Sequence, residues 1–296
     1  MPIFRTIIQP RLLLLLLPTL LAACDDDAPH PQAGERLVIE GHIDSGGYPD
    51  VLLNITVSPS ESGGDFADAV VRWGKVTISD GESEVVLTGA PSHSYFPPYH
   101  YYTSEMAGIP GRTYTITATY RDLTATSTVT MPQEIPVIER VDVTPADGSP
   151  DLCHVSLTFR TPDDAPAYYH LSAQVSDLDS RALPCMLGAV EAPRPGESVT
   201  VPVYRGRSAI AEGDYTPDFP LGAIVKINLE RVTREVFDFW RAFDNASLTG
   251  GSIFITSPGT LPSNIAGGLG VWSAQAVAST IIPVYPTDLQ PVNPSL

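Results

Sequence analysis

Cys24 is the residue whose surroundings specify a reaction. It follows Leu21-Ala22-Ala23, at the end of an apolar run from Leu12 that only Pro18 and Thr19 break and that Arg5 and Arg11 precede. A basic start, a short apolar stretch and small residues before a cut are the layout of a secretory signal. The run is well short of the roughly 20 apolar residues that span a bilayer, so residues 1–23 are expected to be removed. Ordinary cleavage prefers a small residue where Leu21 stands, whereas Leu-Ala-Ala-Cys has the pattern of a bacterial lipobox. There the thiol takes a diacylglyceryl group, the chain is cut before the Cys, and the new amino terminus is acylated. Several acyl chains, at about 0.8 kcal/mol per buried CH₂, make a stable anchor where one would be marginal.

Other residue types that do chemistry are present without the spacing that chemistry needs. The histidines, His30, His42, His93, His100, His154 and His170, include no pair at metal-ligand spacing. No G-x-S-x-G elbow, phosphate loop or dinucleotide fingerprint occurs. Asp177-Leu178-Asp179-Ser180 lacks the Gly and the closing Glu of an EF-hand loop, and Asp163-Asp164 between Pro162 and Pro166 reads as a polar loop. The sequence therefore predicts no catalytic residue, no metal and no cofactor. Cys153 and Cys185 remain once Cys24 is lipidated. In an oxidising compartment they can form a disulfide, and the alternative is two buried free thiols.

The stretch Tyr95-Phe96-Pro97-Pro98-Tyr99-His100-Tyr101-Tyr102 is the candidate binding loop. Two prolines stiffen it, and Tyr side chains offer amphipathic contact area at small entropy cost, which suits glycan, peptide or protein recognition. The alternative is that Tyr99 and Tyr101 fill one face of a strand while Tyr102 lies on the other.

The elements that position these residues are mostly strands. Leu37, Ile39 and Ile43 alternate with Glu40, His42 and Asp44, and Val51, Leu53, Ile55 and Val57 alternate with polar neighbours. A period of two is the mark of a half-buried strand. Further strands are expected at 76–79 and 84–87 around Asp80-Gly81, then from Tyr114 to Tyr120 and from Thr124 to Met131. A second group is expected at 137–143, 153–159, 167–175, 198–204 and 223–231, closing with 253–256, 270–274 and 276–284. One helix interrupts them near 233–247, with Thr233 as N-cap and Val236, Phe239, Trp240 and Phe243 at i, i+3, i+4 and i+7. Its aromatic stripe is expected to pack on a sheet. Prolines 132 and 136 disfavour continued pairing and mark a boundary. The expected organisation is a signal peptide (1–23), a lipidated tether (24–35), an N-terminal Ig-like β-sandwich (36–134), a C-terminal β-rich domain carrying the amphipathic helix (135–285) and a tail (286–296). The fold class is mainly β with two sandwich-like domains.

Removing residues 1–23 takes away Arg5 and Arg11 and no acid, so the charge moves from −17 to −19. Such a surface disfavours nucleic acid, whose phosphates require a basic footprint.

Leu37-Val38-Ile39-Glu40-Gly41, Gly108-x-Pro110-Gly111-x-Thr113-Tyr114-Thr115-Ile116, the aromatic helix 236–243 and Pro262-Ser263-Asn264-Ile265-Ala266-Gly267-Gly268-Leu269-Gly270-Val271-Trp272 occur together. In these the chain resembles a lipoprotein family of Bacteroidota catalogued as domain of unknown function 4249, over most of residues 36–285, with Trp272 where Phe is expected. In such lipoproteins Cys followed by an acidic run, here Asp25, Asp26 and Asp27, looks like the signal for surface export. In enterobacteria an Asp after the Cys would instead suggest retention at the inner membrane. Members are often encoded beside TonB-dependent receptors, so the resemblance implies an accessory or binding lipoprotein of the outer membrane that faces the exterior and has such a receptor as partner. The alternatives are a structural part of an envelope assembly or secretion complex, and a surface hydrolase.

Overall fold

The computed structural model describes residues 34–57, 69–163, 166–207, 215–248 and 261–287. Cys24, Asp25, Asp26 and Asp27 lie outside the described residues, as does the strand expected at 253–256. The alternating segments of the first half form β1 (Leu37–Asp44), β2 (Asp50–Ile55), β3 (Lys75–Ser79), β4 (Glu84–Val86), β5 (Thr88–Pro91), β6 (Tyr99–Tyr102), β7 (Thr113–Tyr120) and β8 (Leu123–Thr130). Then come β9 (Val137–Ala146), β10 (Ser149–Arg160), β11 (Ala167–Val175), β12 (Leu183–Pro184), β13 (Val190–Ala192), β14 (Ser198–Val203), β15 (Phe219–Pro220) and β16 (Ile224–Val232). Helix α1 (Arg234–Leu248) and β17 (Gly268–Pro283) complete the described elements, so the protein is mainly β with several sheets and one helix among the described residues.

One large sheet organises the rest. It runs β12-β11-β16-β17-β1-β2-β6-β5, with β13 also on β11, and two four-stranded sheets, β4-β3-β7-β8 and β14-β10-β15 with β9, stand against it. The two separate closing strands expected from sequence are one strand, β17, whose first half pairs parallel to β1 and whose second half pairs antiparallel to β16. Alternation then divides the sheet into two faces. Leu37, Ile39 and Ile43 of β1 and Trp272, Ala274 and Ala276 of β17 enter a core shared with Val76, Ile78, Tyr114 and Ile116. By the same parity Leu171, Ala173, Ile227 and Leu229 enter a second core with Val155, Leu157, Phe159 and Phe219. The first core combines residues of 37–131 with Ile265 and the first half of β17, and the second combines residues of 143–229 with Val284, so the two are not separate in sequence and share the large sheet through β17.

The Gly-rich segment before β17 is structural. Asn264 binds the backbone of Trp272 twice, Nδ2 donating to its carbonyl at 2.7 Å and Oδ1 accepting from its N–H at 2.9 Å, which substitutes for a missing strand partner. Ala266 pairs with Thr126 of β8. Gly270 has φ +104°, and a Cβ there would collide with the Ile39 carbonyl of β1, so only glycine lets β17 lie against β1 at this point.

Helix α1 packs on the other face of the large sheet through Val236 and Phe237, with Val232 and Val271 beneath them. Phe239 and Trp240 of the expected stripe pack against this cluster while only partly buried, and Phe237 joins them on the packed face. Thr233 begins the helix by its carbonyl, which accepts from Phe237 N–H at 3.0 Å, while its hydroxyl is buried without a hydrogen-bond partner and does not cap. No helix among the described residues is long and apolar enough to cross a membrane.

Candidate functional site

The residues opposite the two cores on the large sheet are polar in its centre. Glu40, His42 and Asp44 of β1 stand beside Leu52 and Asp50 of β2 on one side and Val271, Ser273 and Gln275 of β17 on the other. Asn228 and Glu230 of β16 face Ser172 and His170 of β11 in the adjoining ladder. Together with Tyr95, Arg181, Ala182, Pro184 and Trp240 these side chains line a cavity of about 110 Å³. It is open at its rim and large enough for several waters or one small polar group.

Its floor is a hydrogen-bonded network of buried groups. Glu230 is 5% exposed and accepts from His170 Nδ1 at 2.8 Å and from Ser172 Oγ at 2.5 Å. Asn228 Nδ2 donates to Ser172 Oγ at 2.9 Å, and Ser279 Oγ donates to Asn228 Oδ1 at 2.8 Å. Across the sheet Gln275 Nε2 donates to Asp44 Oδ1 at 2.9 Å, and its Oε1 accepts from Ser273 Oγ. Burial opposes the charge of His42, but Asp44, Asp50 and Glu230 outweigh it and hold the imidazole above its ordinary pKa of 6.5. Asp44 is raised by burial, with Glu230 adding to the effect.

The walls are aromatic and basic. Trp240 of α1 stacks on His170 with ring centroids 4.3 Å apart. The helix is tied down by Asp244, whose carboxylate accepts from Leu187 N–H at 3.0 Å and Ala189 N–H at 3.3 Å and is raised by its burial. Tyr95 donates to Asp50, stacks on His100 and carries the Arg181 guanidinium 4.6 Å above its ring. Burial beside Asp50 pushes the Tyr95 hydroxyl above its ordinary range, so it stays a donor.

The candidate binding loop is thus divided. Tyr95 lines the cleft, and His100, bonded to Asp50 at 3.1 Å, stacks on exposed Tyr102. Tyr99 and Tyr101 lie on the opposite face of β6. Tyr101 is buried in the first core and donates to Val71 O at 2.8 Å, whereas Tyr99 donates to Arg72 O at 3.1 Å. Phe96, at the cis bond to Pro97, is partly exposed. Cys153 and Cys185 are buried free thiols, one on β10 and one after β12 of the large sheet. Burial pushes both thiols up, that of Cys185 furthest, and both side chains belong to the second core.

Sequence reasoning passed over Glu40, His42, Asp44, His170, Ser172, Asn228, Glu230, Ser273 and Gln275 as a set. Their signal was the polar half of strands whose other half is largely apolar, recurring in four segments far apart in sequence. Among the described residues no group of three His, Cys, Asp or Glu is placed to hold a metal ion. Nor do His170, Glu230 and Ser172 have the order of a hydrolytic triad, since there the imidazole stands between hydroxyl and carboxylate. Here the carboxylate stands between the other two. The arrangement brings converging acceptors, two imidazoles and aromatic walls around one small cavity, the kind of concave, partly polar setting in which ligands bind.

No curated protein matches the chain. The model of the family described as domain of unknown function (DUF4249) matches residues 26–281, which takes in every residue that lines the cleft and the Gly-rich segment that seats β17. The chain belongs to the DUF4249 family.

Proposed function

We propose that the protein is a lipid-anchored binding or accessory lipoprotein of the outer membrane, exposed at the cell surface, which works beside a TonB-dependent transporter and helps retain its cargo. The observation that carries the reading is the cleft. Burying carboxylates, imidazoles and amides in mid-sheet costs more than filling the same face with Val or Ile. A sheet that served only as a scaffold has no use for them. The anchor adds the second part of the mechanism. Confinement to the membrane plane raises the local concentration near a receptor, so a modest interface suffices for association.

Crosslinking in intact outer membranes followed by pull-down tests this. The lipidated protein is expected to bring down a TonB-dependent receptor, and Cys24→Ser is expected to lose both the receptor and the uptake it supports. Recovery of no integral membrane protein at native expression, or a soluble Cys24→Ser form that remains fully active, overturns the proposal.

A further inference from the structure

We infer that the cleft takes the ammonium or guanidinium group of an organic cation, an inference that rests on reading the cleft as the ligand site. Glu40, Asp44, Asp50 and Glu230 bring four carboxylates to its lining, and Arg181 is the one Arg or Lys there. Its Nε donates to Ser94 O at 3.0 Å and its Nη1 to Ala182 O at 3.2 Å, and it forms no ion pair with a cleft carboxylate among the described residues.

The carboxylates are unequally committed. Asp50 is held by Tyr95 and His100, and Glu230 by His170 and Ser172. Asp44 gives one oxygen to Gln275, and Glu40 makes no hydrogen bond or ion pair among the described residues. Acceptor capacity is therefore left on the β1 side of the cavity. There the imidazole of His42 lines the cavity without a hydrogen bond among the described residues. Asp44 from its own strand, Asp50 from β2 and Glu230 from β16 face it, with Arg181 opposing them.

The cation is organic rather than a metal ion for two reasons. No three His, Cys, Asp or Glu side chains among the described residues are gathered to hold a metal ion, whereas calcium sites draw several of their six to eight oxygens, at about 2.3–2.6 Å, from such carboxylates. The walls are also aromatic, and the cleft already shows a guanidinium resting on one of them, Arg181 over Tyr95.

Titration calorimetry on the full lipidated chain in detergent tests the assignment with arginine amide and citrulline amide, both acetylated at the α-nitrogen so that the guanidinium is the one charge that distinguishes them, and with glucose and calcium chloride. Arginine amide is expected to bind and citrulline amide is not. Asp44→Asn and Glu40→Gln are each expected to weaken arginine amide by about tenfold or more, as loss of a charge-assisted contact does. Glu82→Gln, on the distant turn between β3 and β4, is expected to leave binding unchanged. Equal binding of citrulline amide or glucose, heat from calcium alone, or no binding of arginine amide overturns the inference. Ala182→Trp, a substitution on the half-buried loop at the cavity lining, separates this failure from that of the site itself. If it abolishes uptake while arginine amide does not bind, the cation assignment falls and the cleft stands. If it leaves uptake intact, the cleft is not the ligand site.

Discussion

Glu230 is the keystone of the cleft floor, and its replacement measures what the floor costs and contributes. In Glu230→Leu the ring of His170 and the hydroxyl of Ser172 lose partners at 2.8 and 2.5 Å inside a site where both residues are buried. A buried polar group left unsatisfied costs about 1–3 kcal/mol. Two of them give about 2–6 kcal/mol, reduced by removal of a buried carboxylate beside Asp44. The expected loss is therefore about 2–5 kcal/mol, a large share of the 5–15 kcal/mol that holds an ordinary domain together. Glu230→Gln behaves differently. Its carbonyl accepts from Ser172, and its amide donates to the His170 ring in the other tautomer, so the expected loss is about 1 kcal/mol or less. Urea unfolding followed by tryptophan fluorescence resolves the two, with a lowered midpoint and an unchanged slope in the Leu variant. Adding His170→Leu to Glu230→Leu removes one orphan, so the double variant is expected to be more stable than the sum of the two single losses. A Leu variant within about 0.5 kcal/mol of the parent, with no such coupling, would refute the reasoning that this network is satisfied and buried.

The segment that seats β17 is expected to be as sensitive. Gly270→Ala forces a side chain into φ +104° and against the Ile39 carbonyl. Backbone strain alone is worth about 1–3 kcal/mol, and hydrogen exchange is expected to show the β1–β17 ladder opening first; unchanged protection there would refute the account. Asn264→Ala leaves the N–H and the carbonyl of Trp272 without their bonds, for about 2–4 kcal/mol. Asn264→Asp keeps one bond and sets a carboxylate against a carbonyl, so it is expected to recover little, and full recovery in a thermal melt would count against the bidentate role. His42 gives a pH dependence. Its folded pKa lies above 6.5, so its stabilising charge is fully present below pH 6.5 and is lost as pH rises through the folded value. The stability gap between the parent and His42→Gln is expected to be widest below pH 6.5 and to close at alkaline pH. A gap constant in urea midpoints from pH 5 to 9 refutes it.

Much of the fold was readable because a half-buried strand writes its period into the chain. β1, β7, β8 and β11 fall where alternation put them, and β3 and β4 flank Asp80 as expected. Asp80 turns the chain with its carboxylate, which accepts from Glu82 and Ser83 N–H. What the period does not encode is which strand lies beside which. Nothing in 268–283 says that one strand leaves β1 for β16 halfway along, and so the sharing of one sheet by both halves was not legible. The cleft was hidden for the same reason. Taken singly, Glu40, His42 and Asp44 read as a solvated strand face. Their meaning comes from Glu230 and His170, some 130 to 190 residues away, which the sheet order places on the same side. Tyr95 was found as part of an aromatic loop, by composition, though its partner Asp50 and its neighbour Arg181 were not.

The alternation that built the two cores also explains why the polar groups can stay. A strand with one fully buried apolar face already contributes its packing, as Leu37, Ile39 and Ile43 do on β1 and Leu171 and Ala173 on β11. The opposite face is then free to carry residues that weaken the fold, provided that each finds a partner or water. Helix α1 and the loop through Arg181 cover only part of that face, so the network is shielded enough for its charges to feel one another and open enough for a ligand to enter. A tighter roof would have required an apolar floor. A missing roof would have left Glu230 and His170 in water, where their bond would count for little. The partial cover over a polar floor is thus the feature that distinguishes a site from a surface, and it depends on β17 holding both halves in one sheet.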